Sequence, residues 1–435
     1  MFKLSPYLTK VFQNISWLTL DQVIRAIVGI LIARYLGITQ FGTFNFALAF
    51  VSIFAPLVTF GFDSIIIRDL LNHPDKRDEI LGSGFFFRFI GAIITFSSCI
   101  IIIDFIRPND LLVNYIVAIV ALSYIFQAFD VIDLYFRSQL KSKLSVWSKS
   151  PVFLFMNVLK IVCLLMHFPL ISFAILYTVE FILGAGGMIW VYKYQLNLKL
   201  SKWHVTLART YYTFREGWPL FLAHVSTFLY TYIDQVLIGV FLGDTSVGGY
   251  SASAKIYQMG VVVIMILNTS FFPLLNDLYL RDKVLFKQRY RLISEIYTII
   301  SYVIALGVLF FADFGMPFLF GHSFTQSASI LKIQMIGFIF TCNGGLRSIY
   351  MTITSNQKQL FYTTAISSIM NVILNILLIP FWGVYGSAFA TVITQFLSLL
   401  FLNLAFKPIR ELFFLQSQAF LPILIIRKGL KSVRS

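Results

Sequence analysis

Roughly twelve apolar runs, each near the ~20 residues needed to cross a bilayer, follow one another along this 435-residue chain. They centre near Val23, Val51, Ile93, Leu122, Leu154, Phe181, Leu229, Val263, Val303, Phe340, Met370 and Thr394. Inside a bilayer every backbone N–H and C=O must be bonded within the protein, so such a run folds as a helix or joins a closed barrel. Barrel strands alternate apolar and polar residues over about ten positions, and these runs do not. The expected fold is an all-α polytopic membrane protein with about 12 transmembrane helices. The longest connections, about twenty residues around Lys199 and about fifteen around Asp282, are far below the size of a domain. Residues 1–14 read as a mildly basic entry into the first run rather than a cleavable signal. A shorter apolar stretch, residues 412–426, either lies in the interface or attempts a further crossing.

The runs fall into two halves that repeat. Leu31-Ile32-x-x-Tyr35-Leu36-Gly37-x-Thr39-x-x-Gly42-x-Phe44 returns about 206 positions later as Leu237-Ile238-x-x-Phe241-Leu242-Gly243-x-Thr245-x-x-Gly248-x-Tyr250. A second echo pairs Phe155-Met156-Asn157-Val158 with Ile369-Met370-Asn371-Val372. A duplicated membrane unit is the usual build of a secondary transporter, with its site near the midplane. Six runs per half is an even number, so both halves insert in the same orientation. The expected division is an N-terminal six-helix lobe over 1–195, a cytoplasmic linker over 196–214, a C-terminal six-helix lobe over 215–407 and a basic, partly apolar tail over 408–435. Gly37, Gly42, Gly243 and Gly248 bracket short outside turns, and Gly82, Gly84 and Gly91 mark close helix packing.

The net charge of +15 invites a nucleic-acid reading, and the placement of the charge argues against one. If Met1 starts inside, the outside connections carry only Arg34 and Arg107, whereas Arg68, Lys76, Arg77, Arg137, Lys141, Lys199, Lys202, Arg281 and Lys283 fall inside. That is the positive-inside bias of a multi-pass protein with both termini cytoplasmic. No Walker loop, zinc-binding helix or nucleophile elbow is present. Cys99, Cys163 and Cys342 lie within apolar runs without metal-ligand spacing. Neither a metal nor another cofactor is expected. Asp130 and Asp133 read as a helix face near the membrane edge, with Arg137 as partner.

Once the loops are set aside, Arg25, Arg88, Lys160, Lys255, Lys332 and Arg347 remain within or near the runs, with Asp21, Asp63, Glu180, Glu216, Asp234 and His224. Each ionised group at the bilayer centre costs roughly 2.5–3.5 kcal/mol, so most must face a wet or protein-lined interior. Helical spacing gathers them into stripes. These are Asn14, Asp21 and Arg25; Asn45, Ser52, Thr59 and Asp63 around Pro56; His224, Thr227, Thr231 and Asp234; Ser251, Lys255 and Gln258; and Asn343, Arg347 and Tyr350. Simpler readings stand beside these. Asp21 with Arg25 fits an intrahelical ion pair, Lys160 and Lys332 fit snorkelling to the interface, and Glu216 fits a cap beside Pro219. His224 fits a packing residue.

The order of several short motifs resembles the Wzx-type O-antigen flippases of the multidrug/oligosaccharidyl-lipid/polysaccharide exporter superfamily. They are Arg34-Tyr35-Leu36-Gly37 with Phe41-Gly42, then Gly61-Phe62 and Arg68, in the first half. Asp234, Leu242-Gly243, Val247-Gly248-Gly249-Tyr250, Ala254-Lys255, Phe272-Pro273, Phe320-Gly321 and Pro380-x-x-Gly383-x-x-Gly386-Ser387-Ala388 extend it over about residues 10 to 405. The resemblance implies a bacterial inner-membrane protein with two six-helix lobes in a V shape. It also implies transfer of undecaprenyl-diphosphate-linked oligosaccharide from the cytoplasmic to the periplasmic leaflet, in company with a polysaccharide polymerase and a chain-length regulator. Arg25 and Lys255 fall where related lipid II flippases place cavity cations on helices 1 and 8. With Arg88 and Arg347 they are the expected diphosphate ligands. Asn45, Ser52, Thr59, Thr231, Ser251, Gln258 and Asn343 are the expected polar lining, and Asp21, Asp63, His224 and Asp234 the expected ion- or proton-coupling groups. Two rivals remain: a cation or drug antiporter of the same superfamily, and a membrane polysaccharide polymerase or ligase, which the short outside connections disfavour.

Overall fold

The computed structural model describes residues 6–420, with side chains from Asp21 onward apart from Ser142. The expected stripe member Asn14 and the end of the 412–426 stretch, from residue 421 on, therefore lie outside the described side chains. Ten helices among the described residues are long and apolar enough to cross a bilayer. Helix α1 (Pro6–Ile53) has 48 residues, roughly 72 Å at 1.5 Å per residue, more than twice a ~30 Å hydrocarbon core. It cannot be one crossing. Gly37 divides it, at φ 70 and ψ 173, a region essentially closed to residues with a Cβ. The partner glycine of the repeat, Gly243, has φ 81 and ψ 178. Gly383 likewise breaks a 43-residue helix (φ 58, ψ −139). Divided at Gly37 and Gly383, the ten helices correspond to the twelve apolar runs.

The chain packs as two compact units, one of them Thr39–Val247 and the other the chain up to Ile38 with that from Gly248 onward. The divide thus falls at both copies of the glycine-threonine motif, not within the 196–214 connection.

In the unit Thr39–Val247, the second part of α1 continues through α2 (Ala55–Thr59) and α3 (Asp63–Asn72). The breaks fall around Pro56, where a kink was expected, and at Gly61 (φ 68). There follow α4 (Arg77–Ile106), α5 (Leu111–Gln127), α6 (Val131–Ser138), α7 (Ser142–Leu165), α8 (Leu170–Trp190) and α9 (Leu207–Leu242). Helix α5 packs between α4 and α8, α7 packs on α8, and α9 lies against α2, α3 and α4. That seating of α9 is what draws it into this unit. Gly91 on α4 permits it to approach α2, for a Cβ there would strike the Leu57 carbonyl. Phe62, Ile66, Leu70, Ile132, Phe136 and Tyr192 form the buried cluster at the end where these helices meet.

The other unit combines the first part of α1 with α10 (Asp244–Arg281), α11 (Lys283–Phe320), α12 (Thr325–Ile353), α13 (Gln357–Leu399) and the short α14 (Arg410–Ala419). Helix α12 packs between α11 and α13, and α14 lies on α11. Large apolar side chains point outward throughout: Phe105, Phe310, Phe311, Phe314 and Phe381 are each more than two-thirds exposed. In water such a surface would drive aggregation; against lipid tails it carries no such cost. This is a multi-pass membrane protein.

Candidate functional site

Arg25 and Lys255 belong to one unit. Arg25 stands about twelve residues before Gly37, and Lys255 about twelve after Gly243, so each lies roughly 18 Å of helix from its glycine break. Lys255 turns its Nζ onto α1, where a Cβ built on Gly29 would be only 2.9 Å away. Gly29 is one turn beyond Arg25 on the same face. The missing side chain at Gly29 therefore leaves the pocket that the amine fills. Arg25 donates from Nε to Asp21 at 3.1 Å, an i,i+4 pair, and its side chain remains 46% exposed. Two cations, Arg25 and Lys255, and one carboxylate, Asp21, thus share a stretch of α1 and α10. Ser251 is buried on α10, one turn before Lys255, and Gln258 is exposed about one turn after it.

Arg88 is buried and bonds Asp63 at 2.5 Å. Asp63 of α3 and Arg88 of α4 are a mutual pair, with Asp63 still 44% exposed at its side chain. On the same stripe Asn45 donates to the Phe41 carbonyl (2.7 Å), and Ser52 is half-buried. The Thr59 hydroxyl is buried without a partner among the described residues. On α9 the stripe is divided by exposure. His224 and Thr231 are exposed, Thr231 bonding back to the Thr227 carbonyl at 2.8 Å, while Asp234 is buried.

Asn343, expected along the polar lining, and Arg347, expected as a diphosphate ligand, both lie in the interior of the other unit. Asn343 accepts from Ser294 (2.5 Å) and donates to Thr298 (2.9 Å). Arg347 is 3% exposed and donates from Nε to Asn403 at 2.8 Å. Their partners come from α11 and from the segment after α13, which close over this face of α12. Two simpler readings also change. Lys160 does not snorkel, because Glu180 on α8 takes its Nζ at 2.6 Å with both side chains only 12% exposed. Glu216 does not cap α9, which begins at Leu207 with Thr206 as its cap; Glu216 faces Arg68 at 3.5 Å. Asp133 pairs with Arg137 as the spacing required (2.6 Å).

Two polar knots within Thr39–Val247 were not anticipated. At the C-terminal end of α4, Arg107 donates to Asp244 and to the Gly239 carbonyl, both at 2.6 Å, and covers the Phe46 ring at 3.9 Å. Thr43 donates to the other Asp244 oxygen at 2.6 Å, and Thr39 and Thr245 bond one another at 2.9 Å. The signal was present, since Thr39 and Thr245 are the same position of the repeat. On α3, Asp69 is buried between Arg209 and Arg68, and Arg68 also reaches the Tyr212 hydroxyl at 2.9 Å. The hydrogen bond to Asp69 raises the Arg68 pKa, so this arginine stays charged.

The model of the polysaccharide biosynthesis protein family matches residues 11–279. The chain belongs to this family. Among curated relatives, a putative O-antigen transporter of Shigella dysenteriae is 21% identical over 54% of this chain and 59% of its own length. The probable low-salt glycan biosynthesis flippase Agl15 of Haloferax volcanii is 25% identical over 40% and 37%. The chain thus spans less than two thirds of either relative. Among solved structures, the lipid II flippase MurJ in an inward closed conformation superposes with a TM-score of 0.73 at 16% identity, covering 96% of this chain and 92% of that one. An inward-facing MATE family transporter gives 0.71 at 14%, covering 95% and 96%. At these identities the likeness speaks for the fold alone.

Proposed function

We propose that this family member is a flippase of the bacterial inner membrane, both termini cytoplasmic, that carries undecaprenyl-diphosphate-linked oligosaccharide from the cytoplasmic to the periplasmic leaflet by alternating access. The observation that carries this reading is the convergence of Arg25 and Lys255 on the face of α1 opened by Gly29. A diphosphate is doubly anionic, and two donors at one level of the membrane match it better than any neutral ligand. The sugars need help of another kind. Each hydroxyl taken into an apolar medium without a partner costs ~2–7 kcal/mol, so unassisted passage of several sugars is negligible. Exposed polar groups such as Gln258 and Thr231 offer replacement hydrogen bonds, while the polyprenyl chain stays in lipid. With an inside-negative potential, each negative charge moved outward gains ~2.3 kcal/mol per 100 mV, which supplies a driver without any nucleotide hydrolysis.

Antiport led by a membrane carboxylate is less well supported, because Asp63 is already engaged by Arg88. The test is flipping of a fluorescent lipid-linked oligosaccharide in proteoliposomes under a clamped potential. A hydrogen bond from a charged donor contributes roughly 1.5–3 kcal/mol, so Arg25→Met with Lys255→Met should slow transport at least about tenfold while leaving the thermal midpoint in place. Unchanged flipping by the double variant would remove the proposed binding site.

A further inference from the structure

Arg347 carries a charge that no ion pair among the described residues balances. It is 3% exposed on α12, its Nε bond goes to the neutral amide of Asn403, and its Nη2 has no hydrogen-bond partner among the described residues. The amides around it are already committed. Asn403 donates to the Leu399 carbonyl and to Gln416 Oε1, both at 3.1 Å, and Gln416 donates to the Asn343 carbonyl at 3.1 Å. The acids of the same neighbourhood serve other bases: Glu295 faces Arg291 at 3.4 Å and Glu411 holds Lys287 at 2.7 Å. A second buried donor stands close by. The Tyr290 hydroxyl on α11, whose ring meets Tyr350 one turn along α12 from Arg347, also lacks a hydrogen-bond partner among the described residues. Its ring is fixed edge-on against Tyr350, with centroids 5.1 Å apart.

We propose that Arg347 Nη2 and the Tyr290 hydroxyl together hold a small monovalent anion of the halide class inside this unit. Arg347 Nη2 can only donate and the Tyr290 hydroxyl also carries a hydrogen, so one shared acceptor satisfies both. A water molecule accepts but brings no charge, and an unbalanced buried ion costs several kcal/mol even after relaxation. A halide supplies the acceptor and the missing charge at once. The burial of Arg347 excludes a sugar diphosphate. The ion is thus a resident counter-ion of the fold rather than cargo, and the proposal does not depend on the flippase reading.

The experiment is thermal unfolding of the purified full-length protein in detergent, with chloride or bromide replacing gluconate at constant ionic strength. The midpoint should rise with halide and saturate. Tyr290→Phe keeps the charge and removes one donor, so about tenfold more halide should be needed for half the effect. Arg347→Gln should lose the response altogether; if that variant does not fold, Tyr290→Phe carries the test alone. A wild-type midpoint equal in halide and gluconate would overturn the proposal. So would a halide response with the same half-point in Tyr290→Phe, which would mark a general salt effect.

Discussion

Replacing Asp63 with asparagine leaves Arg88 in place and takes away the group that balances it. Removing one member of a buried ion pair costs roughly 3–5 kcal/mol, most of it the penalty of stranding the other charge. Arg88 is 5% exposed at its side chain and its Nε already lacks a partner, whereas Asp63 is 44% exposed. The outer half of the pair is therefore screened, and about 2–3 kcal/mol is the fitting expectation. In a unit of this size that lowers the unfolding midpoint by roughly 4–10 °C. Arg88→Met in the Asp63→Asn background removes the stranded charge and should recover most of the loss. The assay is a double-mutant cycle on thermal midpoints in detergent, read beside flipping in proteoliposomes. If Asp63 holds Arg88, the double variant regains both stability and transport. If Asp63 instead carries a proton during transport, Asp63→Asn blocks flipping with its midpoint unmoved, and Arg88→Met rescues nothing. That second pattern would refute the pairing argument.

Two further outcomes follow from the repeat. Gly37→Ala and Gly243→Ala should each cost about 1–3 kcal/mol of stability from backbone strain alone, since nothing lies within 4 Å of a Cβ at either position; neutral variants by thermal unfolding would contradict the strain assignment. Thr39→Cys with Thr245→Cys should form a disulfide under mild oxidation, because hydroxyls 2.9 Å apart place the side chains within bridging reach. Transport should stop on oxidation and return on reduction, and failure to cross-link would show that these residues do not meet in the membrane.

Much of the fold was legible because membrane spans write themselves as unbroken apolar runs of about one bilayer's length. The pairing of helices was less so. A stripe tells which face of a helix is polar, not what it meets. Lys255 and Gly29 are far apart in the chain, and no local pattern announces that one fills the gap left by the other. Arg347 shows the same limit from the other side. A polar stripe around it looks identical whether it borders open space or amides at Asn403 and Gln416, beyond the last apolar run. Lys160 was misread because its partner Glu180 sits on the following helix. Glu216 was misread because α9 starts before its apolar part does, capped by Thr206.

The threonine at the outer motif meets its own counterpart. Where two copies of one sequence touch at the same position, the residue there must be able to bond with itself. A hydroxyl qualifies, since it gives a hydrogen and takes one, and the Thr39–Thr245 contact uses that property. Lysine would repel its twin and aspartate likewise, so mutating a single copy to a charged residue is tolerable there in a way that mutating both is not.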